Sequence, residues 1–326
     1  MIMTRFLAQL LSGLAALMPA VSSFAEEVTP TEHRGSYALN GRIHVGLFGH
    51  PDGKPLTDGP ADMKPSWSKE GDLLVFFRIT KYAPRIPDWK TAICVVKADG
   101  TGFRKLTDGT HTDFNPTWTR DGSNLAVLNR QKPKSGGYVV MLARPDGVPG
   151  EEYAVSDTRL HTYAYSCLKD GRMFVSSSRK PSKSGYFLMR PDREGNPVYE
   201  PIQCDLAKQG RLDRVSVTPD ETRVCFELQK GFGEYRYPGR ALYVADFDAK
   251  TPAVTNPKVI ANEAFQQDVT YLYPRWTRDQ SAVVYHSNKS GKNQLYMYRL
   301  EDGATLRVSA DPKGDYMFPH GEATPK

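Results

Sequence analysis

Pro65-Ser-Trp67-Ser-Lys-Glu-Gly71 recurs as Pro116-Thr-Trp118-Thr-Arg-Asp-Gly122 and again as Pro274-Arg-Trp276-Thr-Arg-Asp279-Gln280. Two weaker copies lie between them, Tyr165-Ser-Cys167-Leu-Lys-Asp-Gly171 and Val215-Ser-Val217-Thr-Pro-Asp220-Glu221. The Trp-equivalent positions 67, 118, 167, 217 and 276 are separated by steps of 51, 49, 50 and 59 residues. A regular period of this length marks a repeat architecture, and it decides the fold before any single motif does.

Working outward from each head, the same pattern follows. In the first unit Leu73-Leu-Val-Phe-Phe77, Ala92-Ile-Cys-Val-Val96 and Arg104-Lys-Leu-Thr107 come after the head, with Asp99-Gly100 between the last two. The second unit repeats this with Leu125–Leu128, Tyr138–Leu142, Asp146-Gly147 and Tyr153–Val155. Short runs rich in Val, Ile, Phe and Tyr, punctuated by Gly and Asp, predict strands, and four antiparallel strands per repeat predict one propeller blade. The tail from Phe318 to Pro325 has only a first strand, while Gly35–Leu39, Arg42–Phe48 and Lys54–Thr57 supply a second, third and fourth. The two ends therefore predict a sixth blade that closes the ring without a covalent bond. The fold class is all-β: a six-bladed propeller of four-stranded blades, one domain over residues 26–326.

The head Asp-x-x-Pro-x-Trp-Ser/Thr-x-Asp-Gly, a strand ending Asp-Gly and a following Leu-Thr resemble the TolB-type propeller repeat over nearly the whole mature chain. The resemblance implies a periplasmic platform for protein partners, although neither the N-terminal α/β domain of TolB nor a hydrolase domain is present in the sequence. A more distant resemblance to oligogalacturonate lyases implies a propeller enzyme with a His-bound metal, but the ligand spacing of those enzymes has no match here residue by residue.

The 326 residues are 39% apolar and 25% charged, an ordinary globular composition. Lys and Arg exceed Asp and Glu by 43 to 37, a surplus too small to imply nucleic acid. Met1 to Ala25 carries one charge, Arg5, an apolar run from Phe6 to Met18 and small residues Ser23 and Ala25 at the expected cut, which predicts a cleaved secretory signal peptide. No second apolar run has spanning length, so the mature chain is expected to be a soluble periplasmic or secreted monomer. Export permits disulfides, and Cys94, Cys167, Cys204 and Cys225 allow three full pairings among which the sequence does not choose. The first, second and third strands holding Cys167, Cys225 and Cys94 suit small buried residues, and Cys204 is placed where it faces the fourth blade.

There is no Gly-x-Ser-x-Gly elbow, Walker loop, His-Glu-x-x-His or Cys-x-x-Cys. Because strands alternate in direction, the 2→3 and 4→1 connections of every blade share one face of the disc. The 2→3 loops hold fourteen Lys and Arg against Asp88 and Glu234, and two of them are aromatic. Tyr82, Arg85, Trp89, Arg130, Arg179, Tyr235 and Arg236 are the expected contacts to a protein partner or an anionic saccharide. The 4→1 connections are rich in Asp, and Asp62 and Asp113 read as turn-stabilising side chains.

Two functions follow from different classes. The leading one is a protein- or ligand-binding module acting through the 2→3/4→1 face, with no cofactor. The alternative is a lyase on an anionic saccharide. In that reading His111, His161 and His320 act as proton-transfer groups, or hold a divalent metal together with Asp113, and His286 lies near the same face.

Overall fold

The computed structural model describes residues 27–84, 88–133, 137–178, 185–229, 240–261 and 269–321. The expected signal peptide therefore lies outside the described residues. The first five blades are each a four-stranded antiparallel sheet in sequence order. Blade one comprises Asp62–Trp67, Leu73–Lys81, Lys90–Lys97 and Arg104–Lys105, and blade two Asp113–Trp118, Ala126–Gln131, Tyr138–Ala143 and Tyr153–Ala154. Blade three comprises His161–Cys167, Met173–Ser178, Gly185–Pro191 and Pro197–Pro201, followed by a single 3-10 turn, Asp205–Lys208. Blade four runs through Arg211–Val217, Arg223–Gln229, Arg240–Asp248 and Ala253–Ala261, and blade five through Tyr271–Trp276, Ala282–Ser287, Gln294–Arg299 and Thr305–Arg307.

The sixth sheet joins the two ends of the chain. Tyr316–Gly321 is its inner strand, pairing with Arg34–Leu39, which pairs with Arg42–Leu47. The expected fourth strand, Lys54–Thr57, is not a strand, yet it occupies the outer position: Leu56 N–H donates to Ile43 O, and the Thr57 hydroxyl accepts from Ile43 N–H. Leu106 and Thr107 treat Ile93 in the same way, as Val155 and Ser156 treat Val140, and Val308 and Ser309 treat Leu295. In these blades the repeat's closing Thr or Ser satisfies a third-strand N–H that would otherwise face a sheet edge.

The core consists of six apolar clusters, one between each pair of neighbouring blades. The cluster joining Ala38 and Ile43 of blade six to Trp67, Leu74 and Phe76 of blade one completes the ring. The repeat tryptophans also work between blades: Trp118 Nε1 donates to Ser66 O at 2.9 Å, and Trp276 Nε1 to Ser216 O at 3.0 Å. A polar latch secures the closing blade, where the Tyr37 and Tyr316 hydroxyls each donate to one oxygen of the Asp52 carboxylate.

Candidate functional site

Every inner strand carries a β-bulge at the repeat proline or its equivalent. The register slips between Met63 and Ser66, Phe114 and Thr117, Ala164 and Ser166, Asp213 and Ser216, and Leu272 and Arg275, and opposite Ser36 and Ala38 in blade six. In five blades the residue before the proline position is left-handed: Lys64, Asn115, Arg214, Tyr273 and Phe318 have φ between 50° and 57°. Proline disfavours right-handed helical geometry in its predecessor, and the extra bulge residue absorbs the turn. The consequence for function is that side chains from four blades meet on the propeller axis. Lys64, Asn115, Tyr273 and Phe318, with Ser66, Thr117, Arg275 and His320 two positions further on, line one cavity of about 20 Å³.

The upper part of this cluster is aromatic and cationic. Tyr273 packs edge-on against Phe318 at 4.6 Å and is stacked by His286 at 5.4 Å and 12°. Lys64 Nζ and Arg214 Cζ each lie 4.3 Å from the Tyr273 ring centroid. Burial alone would raise the Tyr273 phenol, but Arg214 and Lys64, which also donate hydrogen bonds to it, hold it below its ordinary value. Burial holds the Lys64 ammonium below its usual range. The Arg214 guanidinium is anchored to Glu227 at 2.7 Å and Asp213 at 3.0 Å, and Glu227 also accepts from Arg240 and the Tyr273 N–H. Chemically, this is a phenol poised between two cations, with one of them neutralised by a buried carboxylate pair.

Below it, the Arg275 guanidinium donates only to the carbonyls of Arg214 and Pro274. Arg120, from the first turn of blade two, reaches past blade three to the carbonyls of Val217 and Thr218 in blade four. His320 Nδ1 lies 2.9 Å from Gly321 O and Nε2 3.4 Å from Ser66 Oγ, and burial pushes its pKa down to about 3.

The residues singled out by sequence fall in different places. Tyr82 is 59% exposed and stands edge-on against Trp89 at 5.3 Å. Trp89 is fixed by its indole N–H on Ala83 O at 2.9 Å. Arg85, Arg179, Tyr235 and Arg236 lie outside the described residues. Arg130 is a strand residue and not a loop residue, and its guanidinium grips Asp113 with two bonds and Glu152 with a third. Asp62 is held likewise by Arg78. Asp62 and Asp113 are thus fully buried ion-pair partners of the second strand; turn stabilisation belongs to residues such as Asp121, Asp170 and Asp220, which accept the backbone N–H two positions on.

The histidines are not brought together. His111 is exposed beside Thr110 and Asp108, and His161 sits against Gly137 at the entry to blade three, its pKa lowered by burial and by Lys132. Only His320 reaches the axial cavity. No group of three metal-ligating side chains forms among the described residues, so His111, Asp113, His161 and His320 do not make one.

Sequence reading missed Lys64, Arg214, Tyr273, Arg275 and Phe318. A signal was present, because the position before the repeat proline reads Lys, Asn, Ala, Arg, Tyr and Phe around the ring while its neighbours are repeated. Variation inside a fixed frame is what a site at the ring's centre would show.

No family model matches the chain. Among curated proteins, dipeptidyl-peptidase 5 of Porphyromonas endodontalis is 24% identical over 259 residues, covering 70% of this chain and 32% of that protein. The Tol-Pal system protein TolB of Sodalis glossinidius is 25% identical over 154 residues, covering 41% of this chain and 33% of its own length. The chain thus spans about a third of each of these relatives. Among solved structures, TolB from Acinetobacter baumannii superposes with a TM-score of 0.65 over 89% of this chain and 66% of its own, at 12% identity. An oligogalacturonate lyase from Vibrio parahaemolyticus does so with a TM-score of 0.54 over 83% of this chain and 75% of its own, at 9% identity. What these likenesses support is the fold: this chain is a TolB-like propeller, with six blades.

Proposed function

We propose that this TolB-like propeller is exported and acts as a binding module, taking an acidic protein partner on the face formed by the 2→3 and 4→1 loops. The observation that carries the reading is the Tyr82–Trp89 pair. An exposed aromatic ring on a half-buried, hydrogen-bonded partner is an anchor ordered before binding, which lowers the entropy cost of contact. Lys81, exposed beside it, adds positive charge at the rim. The sequence likeness to a Tol-Pal system protein supports an interaction role, and the Met1–Ala25 pattern supports export. No helix among the described residues is long and apolar enough to cross a membrane.

The test is affinity capture from a periplasmic extract with wild type and a Lys81→Glu/Tyr82→Ser variant, the recovered proteins being identified by mass spectrometry. A partner recovered by wild type should fall at least about tenfold with the variant. Equal recovery of every partner refutes this face.

One observation favours an enzyme as the second reading: the Tyr273 phenol, lowered by Arg214 and Lys64, is a proton-transfer group of the kind that eliminations beside a carboxylate require. Unsaturated products released from polyuronates by wild type and lost in Tyr273→Phe would establish it. Their absence with wild type across several polymers leaves the binding module.

A further inference from the structure

Most inward-facing arginines of this propeller have a carboxylate in contact. Arg78 has Asp62, Arg130 has Asp113 and Glu152, and Arg214 and Arg240 share Glu227. Closer to the axis that pattern stops. Lys64, Arg275 and Arg120 have no carboxylate in contact among the described residues; Asp213, Glu227, Asp220 and Glu221 act on them only from further away. All three are half-buried and held by neutral groups, a phenol or backbone carbonyls, which restore only part of the solvation lost on leaving water; Lys64 and Arg275 both line the axial cavity.

Neutral donors surround the same space. Asn115 is 4% exposed and lines the cavity. Ser66 Oγ is only loosely engaged, 3.5 Å from Thr117 Oγ1 and 3.4 Å from His320 Nε2. The cavity of about 20 Å³ has room for one water-sized occupant. Positive charge from Lys64 and Arg275, lining amide and hydroxyl donors, and a volume for one atom or a very small group all select against cations and against large anions.

We propose that the axial cavity bounded by Lys64, Ser66, Asn115, Thr117, Arg275 and His320 binds a small monovalent anion of halide size. Its role is to supply the counter-charge that the inner strands of blades one, two, five and six lack, tying these four blades together at the axis. This site is separate from the loop face and does not depend on that face's function.

The experiment uses the full chain at constant ionic strength, replacing gluconate stepwise by chloride, bromide or sulfate and following thermal unfolding. Chloride and bromide should raise the melting temperature along a saturating curve, by about 4 °C at 100 times Kd, while sulfate should give only the non-saturating rise of an excluded salt. Lys64→Met should lose the saturating response. Because that variant removes a central side chain, Asn115→Asp provides the second arm, since it builds an anion into the site. It should unfold in gluconate at or above the wild-type temperature and no longer respond to chloride. Equal melting in chloride and gluconate for wild type, or an undiminished chloride response in Asn115→Asp, overturns the proposal.

Discussion

Replacing His286 should flatten the acid side of the stability profile. His286 is 2% exposed, stacks on Tyr273, and uses Nδ1 to accept the Phe318 N–H at 3.2 Å, which leaves the proton on Nε2. Burial, then Arg214 and Lys64, push its pKa from 6.5 down to about 3. A depressed histidine contributes stability that is complete above the unfolded value of 6.5 and is lost as pH falls toward the folded value, because over that window only the unfolded chain takes up the proton. At pH 5 the unfolded imidazole lies about 1.5 units below its midpoint, worth about 2 kcal/mol. Carboxylates such as Asp213, lowered below 3.8 by Arg214 and Arg211 against the effect of burial, titrate outside this window. His320 contributes equally to both proteins and cancels. The assay is urea unfolding of wild type and His286→Asn, whose Oδ1 occupies the place of Nδ1 and can accept the Phe318 N–H, at pH 7 and pH 5. The variant should lose about 2 kcal/mol less between the two pH values. An identical loss would falsify the assignment of a neutral, buried His286.

Asp52→Asn should cost about 2 kcal/mol, since a carboxylate that accepts charge-assisted bonds from Tyr37 and Tyr316 becomes an amide with one acceptor. Denaturant midpoints would show it, and faster hydrogen exchange confined to Arg34–Leu47 and Tyr316–Gly321 would place the loss at ring closure; unchanged exchange there refutes the latch. All four cysteines are free, and burial pushes the thiols of Cys94, Cys167 and Cys225 up to about 12. A thiol reagent should therefore modify at most Cys204 in the native protein and all four after denaturation, as mapped by mass spectrometry.

The blade period was legible in the chain because each blade needs the same strand lengths, the same turn residues and the same proline bulge, so the geometry repeats as spelling. Trp67, Trp118 and Trp276 marked the heads, and the complementary half-repeats at the two ends announced the sixth blade. Residues that serve their own blade were also readable: the Asp-Gly turns and the Leu-Thr or Val-Ser closings recur because each bonds within a few residues or one strand away. What the sequence could not convey was convergence across the ring. Asp113 and Arg130 read as a turn stabiliser and a partner contact until the register placed them opposite each other, and His111, His161 and His320 read as a set until the fold put only His320 of the three at the axial cavity. Lys64, Arg214, Tyr273 and Arg275 lie on three different blades as much as 211 positions apart. They meet only because ring closure brings every inner strand to one axis, and that meeting is a property of the tertiary structure alone.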